Sequence, residues 1–198
     1  MQSSLMNELI SRLGILPGVG QKTAQRMALY LIEHNRAGAK ALATTLLEAC
    51  DTIQHCKRCR NLTESTLCAI CQNPHRQKHQ LCVVETPADL VAIEKSGVYQ
   101  GDYFILMGKL SPLDGIGPEE LGIADLVKRI EEGITEVILA TNPTVEGDVT
   151  AQFIIDQLQP NQDLTITRIA HGIPIGGEIE YSDGNTLAHA LTSRKTIS

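Results

Sequence analysis

The chain has 198 residues, 42% hydrophobic and 20% charged, an ordinary composition for one large domain or two small ones with a real core. With no Trp and only two Phe the cores are aliphatic, which argues against a single-strand binder built on stacked aromatic rings. A formal net charge of -6 is the wrong sign for a protein that coats nucleic acid everywhere, so any such contact is local, with the remaining acidic surface solvated or facing basic partners.

Along the chain, the opening MQSSLMNELI lacks a basic leader and an uninterrupted apolar stretch and does not read as a signal peptide. No apolar run approaches transmembrane length. Six cysteines without an export signal point to thiol or metal chemistry in a reducing cytosol. Leu5, Leu9, Ile10 and Leu13 recur at helical spacing and predict a short amphipathic helix closed by Gly14. Residues 14–20 form a tight connection, and 21–34 are helical again, with Ala24, Met27, Ala28 and Leu31 on the inner face. A third helix is expected over 40–53, ending where a cysteine cluster begins.

The turn between the first two helices, LPGVGQKTA over 16–24, resembles a helix-hairpin-helix DNA-binding motif. Gly18 and Gly20 let the backbone approach a phosphate closely, and the following helix start offers unpaired N–H groups and a positive dipole end. Lys22 and Arg26 lie four apart on that helix, so they share a face and can bracket neighbouring phosphates. No base-reading element accompanies them, so binding should be insensitive to sequence. A P-loop needs Gly directly before Lys-Thr, where Gln21 stands, and a dinucleotide fingerprint needs a preceding strand. The competing reading is that the glycines only join two packed helices, with Lys22 and Arg26 as solvated charges. The two helices are also candidates for self-association.

Cys56-Lys-Arg-Cys59 and Cys68-Ala-Ile-Cys71 are two Cys-x-x-Cys pairs eight residues apart, which together supply the four thiolates of a tetrahedral zinc site. With every position filled by protein no water could be activated, so the zinc would be structural, rubredoxin-like iron being the alternative. His55, His75 and His79 are not needed as ligands. Cys50 and Cys82, in a helix and a strand, are expected to be buried small hydrophobes. Lys57, Arg58 and Arg60 read as solvated charge or a weak basic patch.

From residue 80 the texture changes. Short apolar runs at 81–84, 103–107 and 136–140 suit strands buried on both faces, and helical patterns at 87–95, 123–132 and 150–158 alternate with them. Together they read as βαβ units around a mainly parallel sheet. A further strand at 164–168, a Gly-rich stretch at 171–177 and a final helix at 185–192 complete the chain. Ser111-Pro-Leu-Asp-Gly115 suits a long structured loop.

Residues 80–158 resemble the Toprim domain of topoisomerases and primases. The matching stretches are VETPAD, with Glu85 at a strand's C-terminal end, and ATNPTVEGD, with Glu146, Gly147 and Asp148. Catalytic members carry Asp-x-Asp where this chain has Asn142 and Thr144. Those aspartates hold the divalent metal, so Glu85, Glu146 and Asp148 remain as an incomplete acidic cluster that would bind Mg²⁺ weakly at best. Taken alone, each is a solvated charge at a strand end.

The order of modules resembles the RecR family of recombination mediators over nearly the whole chain. Residues 106–118 and 171–178 match as well. The fold expected is α+β in four modules: a helix-hairpin-helix region at 1–54, a four-cysteine zinc finger at 55–79, a Toprim domain at 80–170, and a Gly-rich tail with a helix at 171–198. The resemblance implies a cytoplasmic, nucleoid-associated homotetrameric ring with its hairpins facing encircled DNA and its tail aiding subunit association. It also implies partnership with RecO and RecF in loading RecA on gapped DNA, without catalysis. Two rivals remain at this level: a diverged metal-dependent nuclease or primase using Glu85, Glu146 and Asp148, and a zinc-bearing assembly protein that binds partners but not DNA.

Overall fold

The structure is a computed structural model that describes residues 3–159, 163–170, 172–173 and 176–194. Of the Gly-rich stretch 171–177, positions 171, 174 and 175 lie outside the described residues. The chain divides into two compact units, Met1–Ile53 and Gln54–Ser198.

The first unit holds α1 (Ser4–Leu13), α2 (Gln21–Glu33) and α3 (Arg36–Thr52). Ser3 caps α1 by accepting from the Met6 N–H at 3.3 Å. The core is small: Ile10, Ala24 and Ala28 are buried, with Met6, Leu9, Leu13 and Val19 packed against them. Two alanines on α2 let α1 come close. Met27, expected inside, is 39% exposed, because the short buried stripe of α2 is filled by Ala24 and Ala28 alone. Helix α3 starts at Arg36 instead of residue 40: Asn35 Oδ1 accepts from the Gly38 N–H at 2.9 Å, turning an apparent loop into a first helical turn. Helix α3 buries no residue. Cys50 is accordingly exposed, against the expectation of a buried small hydrophobe.

The second unit begins with a small antiparallel pair, β1 (Gln54–His55) and β2 (Leu62–Thr63), followed by α4 (Ala69–Gln72). The main sheet follows in β3 (Gln77–Val84), β4 (Gly101–Ile105), β5 (Glu136–Ala140) and β6 (Thr165–Arg168), with spatial order β4-β3-β5-β6 and every pairing parallel. Between them run α5 (Pro87–Ser96), α6 (Ile123–Glu131) and α7 (Val145–Leu158), and α8 (Gly184–Thr192) comes last. The α+β class and the parallel sheet expected from the apolar runs are both present.

Period-two alternation on buried strands makes two cores. Leu81, Val83, Phe104, Leu106, Val137 and Leu139 pack with Leu126, Ile130, Ile154 and Leu158 of α6 and α7. Cys82, Val84, Tyr103 and Ile105 turn the other way and pack with Leu90 of α5 and with all four clustered cysteines. Cys82 is a buried small hydrophobe, as expected, and burial pushes its thiol up to about 12. The expected strand at 103–107 sits two residues earlier. It ends where Met107 takes φ 65°, although Leu106 N–H still reaches the Val84 carbonyl at 2.9 Å. Helix α7 starts at Val145, five residues before the periodicity predicts, because Thr144 caps it through the Gly147 N–H at 3.1 Å.

Candidate metal centre and nucleic-acid interface

The four cysteines come together as their spacing predicts. Cys56, Cys59, Cys68 and Cys71 are 0–6% exposed, and their Sγ atoms all lie within 4.8 Å of one another. A tetrahedron of zinc–sulfur bonds of about 2.3 Å has edges of roughly 3.8 Å, so small shifts of the sulfurs bring the donor set to zinc geometry. Backbone N–H groups point at the sulfurs: Asn61 donates to Cys59 Sγ at 3.4 Å and Cys68 to Cys56 Sγ at 3.3 Å, the pattern that stabilises bound thiolates. Cys68 is held low, to about 2, chiefly by hydrogen bonding from the Cys59 thiol, which is itself pushed up. Among the described residues these thiols are the one group of three or more Cys, His or acidic side chains close enough to share an ion. His55 Nδ1 is instead 3.0 Å from the Arg60 carbonyl, and His75 and His79 are exposed.

Two arginines expected as solvated charge are structural. Arg60, at φ 66° in the first knuckle, reaches the carbonyls of Leu106 (3.2 Å), Glu120 (2.9 Å) and Leu121 and lies over the Phe104 ring, 5.7 Å from its centroid. It ties the cysteine module to the loop that follows β4. Arg58 lies 3.6 Å from the buried carboxylate of Asp102, which also holds Arg129 of α6 at 2.6 Å. Charge composition alone hides this, because Asp102 lies 44 residues downstream of Arg58.

The basic hairpin is laid out as the turn chemistry predicts. Gly18 has φ +77°, a left-handed conformation that other residues resist. Gly20 precedes α2 with no side-chain cap and no acidic residue in the first turn, so the leading N–H groups of a 13-residue helix are free of carboxylate competition. Lys22 and Arg26 are exposed, while Ala24 and Ala28 on the same helix are buried.

At the sheet edge the strand order reverses between β3 and β5, the position where open α/β sheets gather ligands. Glu85, just past β3, is 5% exposed and accepts from the Asn142 N–H (2.8 Å) and from Asn142 Nδ2 (2.7 Å). Gly147 leaves the room: a Cβ there would collide with the Asn142 carbonyl and lie 2.9 Å from Glu85 Oε1. Glu146 is exposed and 3.3 Å from Lys109, and its carboxyl is held down first by its own backbone N–H and then by that lysine. Asp148 pairs with Arg168. Each of the three carboxylates therefore has its own partner. Asn142 and Thr144 serve as a bracing amide and a helix cap at the positions where catalytic members of the resembled domain carry aspartates. Sequence reading missed Asn142's role, because Glu85 lies 57 residues away and nothing in the sequence marks it as buried.

Comparison with known proteins covers the same modules. Family models match residues 6–50 (RecR, helix-hairpin-helix), 53–73 (RecR, four-cysteine zinc finger domain), 79–170 (Toprim domain) and 172–195 (RecR, C-terminal). The recombination protein RecR of Saccharophagus degradans is 54% identical over 198 residues, covering the whole of both chains. That of Stutzerimonas stutzeri is 55% identical over 197 residues, covering 99% of this chain and 98% of its own. Full-length identity at this level, together with the four-cysteine cluster and the parallel sheet, shows that the chain belongs to the RecR family of recombination proteins.

Proposed function

We propose that the chain is a non-catalytic DNA clamp of recombinational repair. It binds DNA without sequence preference through Gly18, Gly20, Lys22 and Arg26, and carries one structural zinc on Cys56, Cys59, Cys68 and Cys71. The observation that carries the DNA reading is the uncapped start of α2 behind Gly18, with Lys22 and Arg26 exposed on one side. Family membership supports partnership with RecO and RecF in loading RecA on gapped or damaged DNA, and work at the nucleoid. Among the described residues no helix is long and apolar enough to cross a membrane.

A homotetrameric ring is part of this reading. Helix α3 presents Leu42 (57%), Leu46 (61%) and Leu47 (69%) to solvent, an apolar stripe suited to a second copy of the chain. Asn142 and Thr144, neutral and already engaged, speak against chemistry at the sheet edge. Exposed Glu146 and Asp148, with Glu85 bracing the adjoining loop, suit a basic partner better than a catalytic metal; any Mg²⁺ there would be weakly held. The modules are read as 1–54, 55–79, 80–170 and 171–198.

The test is a salt titration of DNA binding for wild type, Lys22→Ala and Arg26→Ala, with oligomer size followed in parallel. Each lost phosphate contact flattens the log–log salt dependence by roughly 0.7–0.9, and several copies in a ring multiply the effect. DNA incubated with the protein and Mg²⁺ stays intact. Equal slopes in all three proteins, with assembly preserved, refute the hairpin as the DNA site.

A further inference from the structure

We propose that the second unit carries its own phosphate site: the cleft between the first cysteine knuckle and α6, where Lys57, Arg58, Lys128 and Arg129 receive a backbone phosphodiester of the bound DNA. The proposal rests on the DNA-binding reading above and extends it to a surface that neither the hairpin nor the acidic sheet edge includes.

The cleft is about 740 Å³, with Lys57 and Arg58 on the knuckle side, Lys128 and Arg129 on the α6 side, and Phe104 at its floor. Five basic side chains, Arg60 included, stand against three carboxylates, Asp102, Asp125 and Glu132. That leaves an excess of two positive charges, in a chain whose formal net charge is -6. Local positive charge on an acidic protein marks where a polyanion is met. Lys57 and Lys128 are exposed, whereas the Arg129 side chain is 5% exposed and that of Arg58 26%.

An independent observation points to a ligand. Among the described residues three buried side-chain polar atoms have no hydrogen-bond partner, and two of them are the Nε atoms of Arg58 and Arg129. Both guanidinium groups lean on one carboxylate, Asp102, at 3.6 and 2.6 Å, and Glu132 takes a second edge of Arg129 at 2.7 Å. A buried donor without an acceptor is costly, so two such donors on guanidinium groups that share one anion mark a place short of acceptor oxygens. A phosphate at the cleft mouth would bring acceptor oxygens to the guanidinium edge of Arg58, the less buried of the two. Lys57 and Lys128, the latter 3.5 Å from Asp125, act as point charges for its neighbours along the strand.

The floor decides against an acidic peptide. An acidic peptide that alternates carboxylates with apolar side chains needs an apolar slot between the basic groups. Phe104 is only 2% exposed and lies under the Arg60 guanidinium, so the ring offers no slot.

The experiment uses the full-length, zinc-loaded protein and fluorescent single- and double-stranded oligonucleotides of mixed sequence, titrated with salt. Lys57→Ala and Lys128→Ala change exposed rim residues, and Lys128 is remote in sequence from the cysteines, so its variant keeps the metal site intact. Each variant flattens the log–log slope by roughly 0.7–0.9 per lost contact, equivalent to about a threefold smaller fall in affinity between about 50 and 200 mM salt. A wild-type slope in both variants, with Lys22→Ala flattened and zinc content and melting temperature unchanged, overturns the cleft and leaves the hairpin standing. Wild-type slopes in all three variants overturn the cleft and the hairpin alike as phosphate sites, and absence of salt-dependent binding by the wild-type protein sinks the DNA-binding reading itself. A peptide of alternating Glu and Phe serves as the control probe; if the rim variants weaken its binding and leave DNA binding alone, the cleft is a protein-docking surface and the proposal is wrong.

Discussion

Glu85 shows how a residue type can signal one chemistry and perform another. In sequence it is a carboxylate at a strand end. In the structure it is almost fully buried and held by two donors of Asn142. A charge-assisted hydrogen bond to a buried carboxylate contributes more than a neutral one, and losing it leaves the acceptor unpaired. Asn142→Ala removes the Nδ2 donor and keeps the backbone bond, so it should destabilise the second unit by about 1–3 kcal/mol in urea unfolding. A change within about 0.5 kcal/mol would mean that the pair is idle. The same scale explains what stayed illegible. The missing aspartates at 142 and 144 could be read from residue identity, but the work of their replacements could not. Arg58 and Arg60 looked like solvent charge because their partners come from β4 and the loop after it, far along the chain.

At the scale of elements, helix ends were the least visible feature and strands the most. Apolar runs marked β3, β4 and β5 because a strand buried on both faces needs no polar alternation. The first turns of α3 and α7 were missed because Asn35 and Thr144 start them through side-chain caps, within stretches that lack helical periodicity. Helix α5 was readable from its helical pattern at 87–95, and Thr86 and Asp89 form a capping box at its start. Its far end is pinned by Glu94, whose carboxylate takes Arg76 at 2.8 Å and the Tyr103 hydroxyl at 2.7 Å. Burial pushes the Glu94 carboxyl up, but the hydrogen bonds from Arg76 and Tyr103 outweigh it and the net shift is downward. A carboxyl lowered in the folded state stabilises fully above its unfolded pKa and loses that contribution as pH falls through its folded value. The stability gap between wild type and Glu94→Gln should therefore be constant near neutrality and close as pH drops below the ordinary carboxylate range, about 4. A gap independent of pH down to acid unfolding would rule out the ion pair as its source.

At the scale of the whole molecule, the cysteine module is more than an appendage. Its four cysteines pack in one cluster with Cys82, Val84, Tyr103 and Ile105 of β3 and β4, and the Cys59 carbonyl accepts from the Ile105 N–H at 3.0 Å. One face of the parallel sheet is thus closed partly by the four cysteines that would hold a metal. In small cysteine modules metal binding supplies the folding free energy, on the order of 10 kcal/mol or more, and packing against β3 and β4 would carry that link into the sheet. The N-terminal unit has its own core of Ile10, Ala24 and Ala28. Cys56→Ser or Cys68→Ser should release one zinc per chain and lower the melting temperature. Hydrogen exchange should locate the damage: amides of β3 and β4 lose protection, whereas those of α1 and α2 keep theirs. A bystander metal would leave β3 and β4 protected after zinc release, because the apolar contacts of Val84, Leu90 and Ile105 would then hold that face unaided. Equal loss in both units would instead mean that the chain unfolds as one cooperative block, contrary to its division at residue 53.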